Sequence, residues 1–289
     1  MGVSSVIEQN LRGALSHSRA PSGPPILADA MQYAVFPGGS RTRPRLCLAV
    51  ADACGGSEDG SAIAVATSLE LLHCASLVHD DLPCFDDADL RRGKPSVHAA
   101  YGESIAILVG DALIVLAFDS LVRSLEKVPE KIVPLTLVVT EAVGSPHGII
   151  AGQAWESEPE VDLAQYHRSK TGSLFVSACA AGALAAGANP KQWREVGKKF
   201  GQAYQALDDA LDVVGSVAEL GKPVQQDIRN GRPNLLASTS IEAVGRSVRR
   251  HVDEALSAVP QEASTHELSK LLRKATGQFA LAADGVQAA

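Results

Sequence analysis

Aromatic side chains are scarce in this sequence, at 4% of 289 residues, yet hydrophobic residues reach 46% and alanine is abundant. A large core is therefore available without many rings. Positive charge is also short: the formal net charge of −7 argues against a general nucleic-acid surface. It leaves room for a local basic pocket that serves smaller anions. Cys47, Cys54, Cys74, Cys84 and Cys179 are odd in number, and no spacing among them matches a zinc site or a redox motif. Four lie in or beside apolar helical runs, as reduced buried thiols do, which points to the cytoplasm. Met1–Asn10 lacks the basic-then-apolar pattern of a signal peptide, and Val6 stands where a myristoylation motif wants Ser or Thr. No apolar run reads as a membrane span once glycine and polar residues are counted. Alternating β pattern, glycine-rich strand-to-helix turn, fixed-period repeat and low-complexity linker are all missing.

What is present is helix after helix. Apolar residues recur at spacings of three and four, in runs broken by short Gly/Pro/Ser segments such as Phe36–Ser40, Gly93–Ser96, Gly144–Gly148 and Gly187–Pro190. The simplest reading is one all-α domain over 1–289. Ala62–His79 and roughly Ser104–Leu121 are apolar on nearly every face, which predicts central positions in a helical bundle. The polar stretch after Leu220 reads as a mobile loop or lid, and the chain after Ser240 as amphipathic helices.

Two acidic clusters interrupt this apolar pattern. Asp80-Asp81-Leu82-Pro83-Cys84-Phe85-Asp86-Asp87 closes the first apolar helix, and Asp208-Asp209-Ala210-Leu211-Asp212 lies in a later one. Asp208 and Asp212, four apart, share a helix face with Gln205 one turn earlier. Pro83 disfavours continuing the helix, so Asp86 comes from an irregular turn. Carboxylates gathered in apolar surroundings repel one another unless cations neutralise them. An oxygen-only set suits a hard cation, Mg²⁺ above all, completed by substrate phosphates. Arg91-Arg92-Gly93-Lys94 follows the first cluster, and arginine forks suit phosphate. Arg41 and Arg43 flank the Gly38-Gly39 turn, and Lys170 and Lys222 are further cationic candidates.

These landmarks, in this order, resemble the trans-isoprenyl diphosphate synthase family, most of all the bacterial geranylgeranyl type. Gly38-Gly39-Ser40-Arg41-Thr42-Arg43-Pro44 is similar to the family's glycine-basic turn. Asp80–Asp86 with Arg91-Arg92 resembles its first Asp-rich motif, and Gly152-Gln153, Lys170-Thr171-Gly172 and Gln205 with Asp208, Asp209 and Asp212 follow. The resemblance implies an all-α isoprenoid-synthase-type bundle around a central cavity, a cytoplasmic homodimer, and no nucleic-acid partner. It implies a Mg²⁺-dependent prenyltransferase, with three ions per active site, that joins an allylic diphosphate to isopentenyl diphosphate by ionisation, condensation and elimination. Asp80, Asp81, Asp86, Asp208, Asp209 and Asp212 would bind metal. Arg91, Lys170, Gln205 and Lys222 would hold the allylic diphosphate, and Arg43, His73 and Arg92 isopentenyl diphosphate. Lys170, Thr171 and Gln205 would stabilise the cation. Departures are Ser40 and Gln226, where the family commonly has Lys, and Arg232, also in place of Lys.

Product length should follow cavity depth below the first cluster. Ala75 and Ser76 lie about 6–7.5 Å down the helix from Asp80 at roughly 1.5 Å per residue. Both are small, where farnesyl-making relatives often carry an aromatic plug, so geranylgeranyl diphosphate is the expected product. Leu72 and Phe118 are candidate floor residues. The alternatives are a farnesyl diphosphate synthase and a non-catalytic regulatory subunit of a related synthase, the latter suggested by Ser40. A terpene cyclase would have no use for the second diphosphate site formed by Arg43, His73 and Arg92.

Overall fold

The computed structural model describes residues 2–17, 19, 23–36, 38–214, 241–264 and 266–274. These residues form an all-α bundle built around α4 (Ser61–Asp80). Ala64, Val65, Leu69, Leu71, Leu72, Ala75 and Val78 are all buried, because residues spread evenly round this helix are apolar. Its start is set by Asp59, whose Oδ1 accepts from Ser61 N–H at 2.9 Å and Ser61 Oγ at 2.5 Å. Gly60, at φ 79°, supplies the left-handed residue just ahead.

Around α4 pack α1 (Val3–His17), α2 (Pro25–Val35), α3 (Thr42–Ala53), α6 (Glu103–Ser124) and α7 (Ile132–Val143), with α5 (Val97–Tyr101) bridging α2 and α6. α8 (Ile149–Ala154) and α9 (Leu163–His167) lead into α10 (Ser173–Ala185), which is buried almost throughout. α10 is alanine-rich, and its small surface allows close crossings. A Cβ on Gly182 would collide with the Cys47 carbonyl of α3. On α11 (Pro190–Val214), a Cβ on Gly197 would stand 2.5 Å from the Phe175 carbonyl. α12 (Ile241–Ser257) lies along α11, tied to it by Lys199–Glu254 at 2.7 Å.

Two expectations need correction. The Gly93–Ser96 break belongs to a small antiparallel hairpin, β1 (Leu90–Arg91) and β2 (Lys94–Pro95). Its central residues Arg92 and Gly93 both have positive φ, 54° and 76°, the pattern of a two-residue primed turn. Arg92 is an unusual occupant of such a turn, which is why no hairpin signal was legible there. Second, α6 is not enclosed. Ala106, Val109, Leu113 and Leu121 face the core, while Ile107, Leu108, Val115 and Val122 are exposed. α4 and α6 are both long and apolar enough to cross a bilayer by length and composition alone. In α4 that composition serves the bundle core, since 78% of its apolar window is buried; in α6 the figure is 39%. All five cysteines are free; Cys47, Cys74 and Cys179 are buried, and Cys84 is exposed.

Candidate active site

Leu72, Ala75, Ser76, His79 and Asp80 follow the three-and-four spacing of one helix face. That face of α4 lines a cavity of about 350 Å³, closed elsewhere by Phe85, Ile114, Val143, Ile149, Ile150, Gln153, Ala154 and Ser157. Its lining carries one carboxylate, Asp80, at the C-terminal end of α4, and apolar side chains make up most of the remainder. Ala75 and Ser76 both line it, as does Leu72. Phe118 packs against the core and is not part of its wall; Ile114, one turn earlier on α6, takes that place.

Asp80 and Asp81 occupy different electrostatic settings. Burial raises the Asp80 carboxyl above its ordinary pKa; Lys170 opposes this and Asp86 adds to it. Asp80 Oδ1 is buried and receives no hydrogen bond, with Lys170 Nζ 3.4 Å away. Asp81 is also pushed up by burial, against the pull of Arg91. The Arg91 guanidinium grips it, Nε reaching Oδ1 at 2.9 Å and Oδ2 at 3.2 Å. The hairpin therefore holds a guanidinium on the end of α4.

Lys170 lies in a π-helical turn, Arg168–Gly172, that joins α9 to α10. Such turns widen a helix locally and expose backbone carbonyls. Its ammonium is ion-paired to Glu156 as well as to Asp80. Glu156 also accepts from Tyr166 Oη at 2.7 Å and Gln153 Nε2 at 3.0 Å. Gly152 makes the approach possible, because a Cβ there would run into the Lys170 backbone. α11 crosses the same turn at Gly201, where a Cβ would be 3.1 Å from Gly172 Cα, and Gln205 follows one turn on. Glu156 and Tyr166 were not legible from the sequence. The one signal was Gln153 and Glu156 three apart after Gly152.

A basic cluster forms at the start of α3. Arg43 Nη1 lies 3.2 Å from His73 Nε2, and its guanidinium sits 4.7 Å from the Phe175 ring centroid. Arg43 Nε is buried without a partner. His73 is held well below its ordinary pKa by burial first, then by Arg43, Arg92, Arg91 and Arg41, so the neutral ring accepts from Arg43. Arg92 lies over Gly39, where a Cβ would come within 3.1 Å of its guanidinium. Neither Arg43 nor Arg92 is ion-paired to an acidic side chain among the described residues.

Arg41 is different and corrects the expectation of a ligand. It is buried, bonded to Glu70 at 2.7 Å, Glu8 at 2.8 Å and the Val35 carbonyl at 2.9 Å. Lys94 likewise serves the fold, donating to the Tyr33 and Phe36 carbonyls. Ser40 Oγ meets Thr42 Oγ1 at 2.7 Å on the surface. Asp208 is exposed on α11; the side chains of Asp209 and Asp212, and Lys222, Gln226, Asp227 and Arg232, lie outside the described residues.

The donor set fits a hard cation that shares its shell with a substrate. Asp80 offers a buried oxygen with no hydrogen bond, and all the candidate ligands are carboxylates. Among the described residues no three His, Cys, Asp or Glu side chains are gathered closely enough to hold an ion alone. Mg²⁺ suits such a site, because it takes few protein ligands and keeps places for phosphate and water.

Comparison with known proteins bears on the whole chain. The sequence profile of the family described as Polyprenyl synthetase matches residues 24–274. A geranylgeranyl diphosphate synthase of Cereibacter sphaeroides is 43% identical over 268 residues, covering 93% of each chain. One from Rhodobacter capsulatus is 43% identical over 273 residues, covering 94% of each. A Helicobacter pylori geranyltransferase, crystallised with magnesium and isoprenyl diphosphate, superposes with a TM-score of 0.75 at 30% identity over 95% of both chains.

Proposed function

The chain belongs to the polyprenyl synthetase family and is a prenyltransferase, and from that premise we propose that it condenses an allylic diphosphate, farnesyl or shorter, with isopentenyl diphosphate to give geranylgeranyl diphosphate. One observation carries this reading: a single face of α4 brings Asp80, at the end of the helix, and the small residues Ala75 and Ser76, about a turn below it, to the wall of one apolar cavity. An anionic head would bind at the Asp80 end, with its hydrocarbon tail running past Ala75.

Mg²⁺, three ions per site with substrate bound, would be held by Asp80, Asp81 and Asp86 on one wall and Asp208, Asp209 and Asp212 on the other, and would supply neutralisation of the departing pyrophosphate. Arg91, Lys170, Gln205 and Lys222 hold the allylic diphosphate. Lys170 is withdrawn between Asp80 and Glu156 and turns its ammonium to the phosphate as that group arrives. The allylic C–O bond breaks, and its electron pair leaves with pyrophosphate. Charge on that leaving group is stabilised by preformed cations in a site of low dielectric. The allylic cation is faced by Thr171 and Gln205, beside the carbonyls of the π turn. Arg43, His73 and Arg92 hold isopentenyl diphosphate. Arg43 and Arg92 keep charge to spare for an anion, and neutral His73 orients the Arg43 fork. The double bond of isopentenyl diphosphate attacks the cation, a C–C bond forms, and the proton lost goes to the released pyrophosphate. The apolar wall keeps water from the cation.

We further assign a homodimer, supported by the uncovered apolar residues of α6 and α7, among them Val115 at 68% and Val133 at 65% exposure. A cytoplasmic location is supported by five free cysteines. Incubating the purified chain with Mg²⁺, farnesyl diphosphate and isopentenyl diphosphate tests the reading. A C20 diphosphate is expected. Turnover of shorter primers only, ending at C15, would make it a farnesyl diphosphate synthase. Absence of turnover with every primer would leave the regulatory reading in its place.

A further inference from the structure

His79 takes no part in the chemistry above, yet it lines the cavity beside Asp80. Its ring does not hang free. Nε2 lies 3.2 Å from the Ile107 carbonyl of α6, to which its N–H donates, and 3.9 Å from the Asp111 carboxylate. The ring tip seats directly on Gly110, which is buried: a Cβ at that position would overlap Nε2, Cδ2 and Cε1 together. Gly110 is in the middle of α6, where glycine is a poorer helix former than alanine. Its φ is not positive, so backbone conformation does not explain it. The missing side chain does: it leaves a notch in α6 that receives the imidazole.

We propose that His79 and Gly110 act as a pair that fixes the bore of the cavity just below the metal end, and so selects among allylic tails. The proposal rests on the prenyltransferase reading above. The imidazole has α6 on one side and the cavity on the other. While the notch is open, the ring lies back against α6 and the bore is wide. With the notch filled, the space open to the ring is the cavity, level with the first isoprene units of a bound primer. Ala75 and Ser76 act deeper, on how long the tail grows. His79 acts at the entrance, on which tails enter.

The test compares dimethylallyl diphosphate, whose tail has five carbons, with farnesyl diphosphate in wild type, Gly110→Ala, His79→Ala and the double variant. In Gly110→Ala, kcat/KM for the farnesyl primer should fall roughly tenfold relative to the five-carbon primer, the scale at which a pocket discriminates by a few atoms. Removing the ring as well should restore the wild-type ratio. A fold merely loosened by the added methyl would lower both primers together and leave their ratio unchanged. An unchanged primer ratio in Gly110→Ala, or a double variant that stays like it, overturns the proposal. Should Gly110→Ala not fold, His79→Trp decides: a ring too large for the notch should lower the farnesyl primer relative to the five-carbon primer, and an unmoved ratio sinks the proposal. A wild type inactive with both primers overturns the prenyltransferase reading itself.

Discussion

At the scale of single residues, the acidic and basic motifs were readable because helical spacing is strict. Asp80, Ser76, Ala75 and Leu72 fall on one face of α4 by arithmetic, and they do line one cavity. What spacing could not supply was pairing across the fold. Nothing local says that Arg91 is clasped to Asp81, or that Arg41 is closed off by Glu8 and Glu70. Arg41 and Arg43 look alike as a pair of cations after a glycine turn. In the folded chain one is neutralised and the other keeps its charge. Glu156 escaped notice for the same reason, since its partners Lys170 and Tyr166 come from a different segment. At position 75 the cavity has room for a side chain. Ala75→Tyr should place a ring across the channel and shorten the product from C20 toward C15, read by chromatography of the dephosphorylated alcohols. An unchanged product would remove Ala75 as a determinant of length.

At the scale of elements, the helices were legible and their environments less so. α4 and α6 have similar composition, but α4 is enclosed and α6 is not. A helix apolar on every face gives periodicity no contrast, so its covered and uncovered sides cannot be told apart. The π turn was hidden too: nothing in Arg168–Gly172 marks it locally, and the segment packs against α8 and α11. Close crossings make a sharp prediction. Gly182→Ala should force α10 off α3 and destabilise the fold by about 1–3 kcal/mol, the range for overpacking, measured as a lower midpoint in urea. The start of α4 makes another. Burial raises the Asp59 carboxyl, but Lys131, Ser61 and Ser57 outweigh it and hold its pKa below the ordinary value. A depressed carboxylate stabilises the fold above its unfolded pKa and loses that contribution as pH falls through the folded one. Asp59→Asn should therefore cost roughly 1 kcal/mol at neutral pH. The gap from wild type should narrow in acid, below about pH 4. A gap that stays constant with pH would mean the carboxylate's charge is not what holds the turn.

At the scale of the whole molecule, α6 and α7 carry apolar side chains that the described bundle leaves uncovered. Leu108, Val115, Val133 and Leu137 are each at least half exposed. If a second copy covers this face, Val115→Lys should convert a dimer into a monomer in sedimentation equilibrium. A variant that still sediments as the wild type does would exclude this face. The bundle also reaches beyond the region that the family profile spans. The profile begins at residue 24, whereas Glu8 on α1 closes the cage round Arg41, whose guanidinium lies against Gly38. A gene trimmed to the matched region would keep every motif residue. It would leave Arg41 with the Glu70 carboxylate and the Val35 carbonyl but without Glu8, and the glycine turn ahead of Arg43 without its outer brace. For this protein, boundaries drawn from motifs leave out a helix whose Ile7, Leu11 and Leu15 are buried in the core.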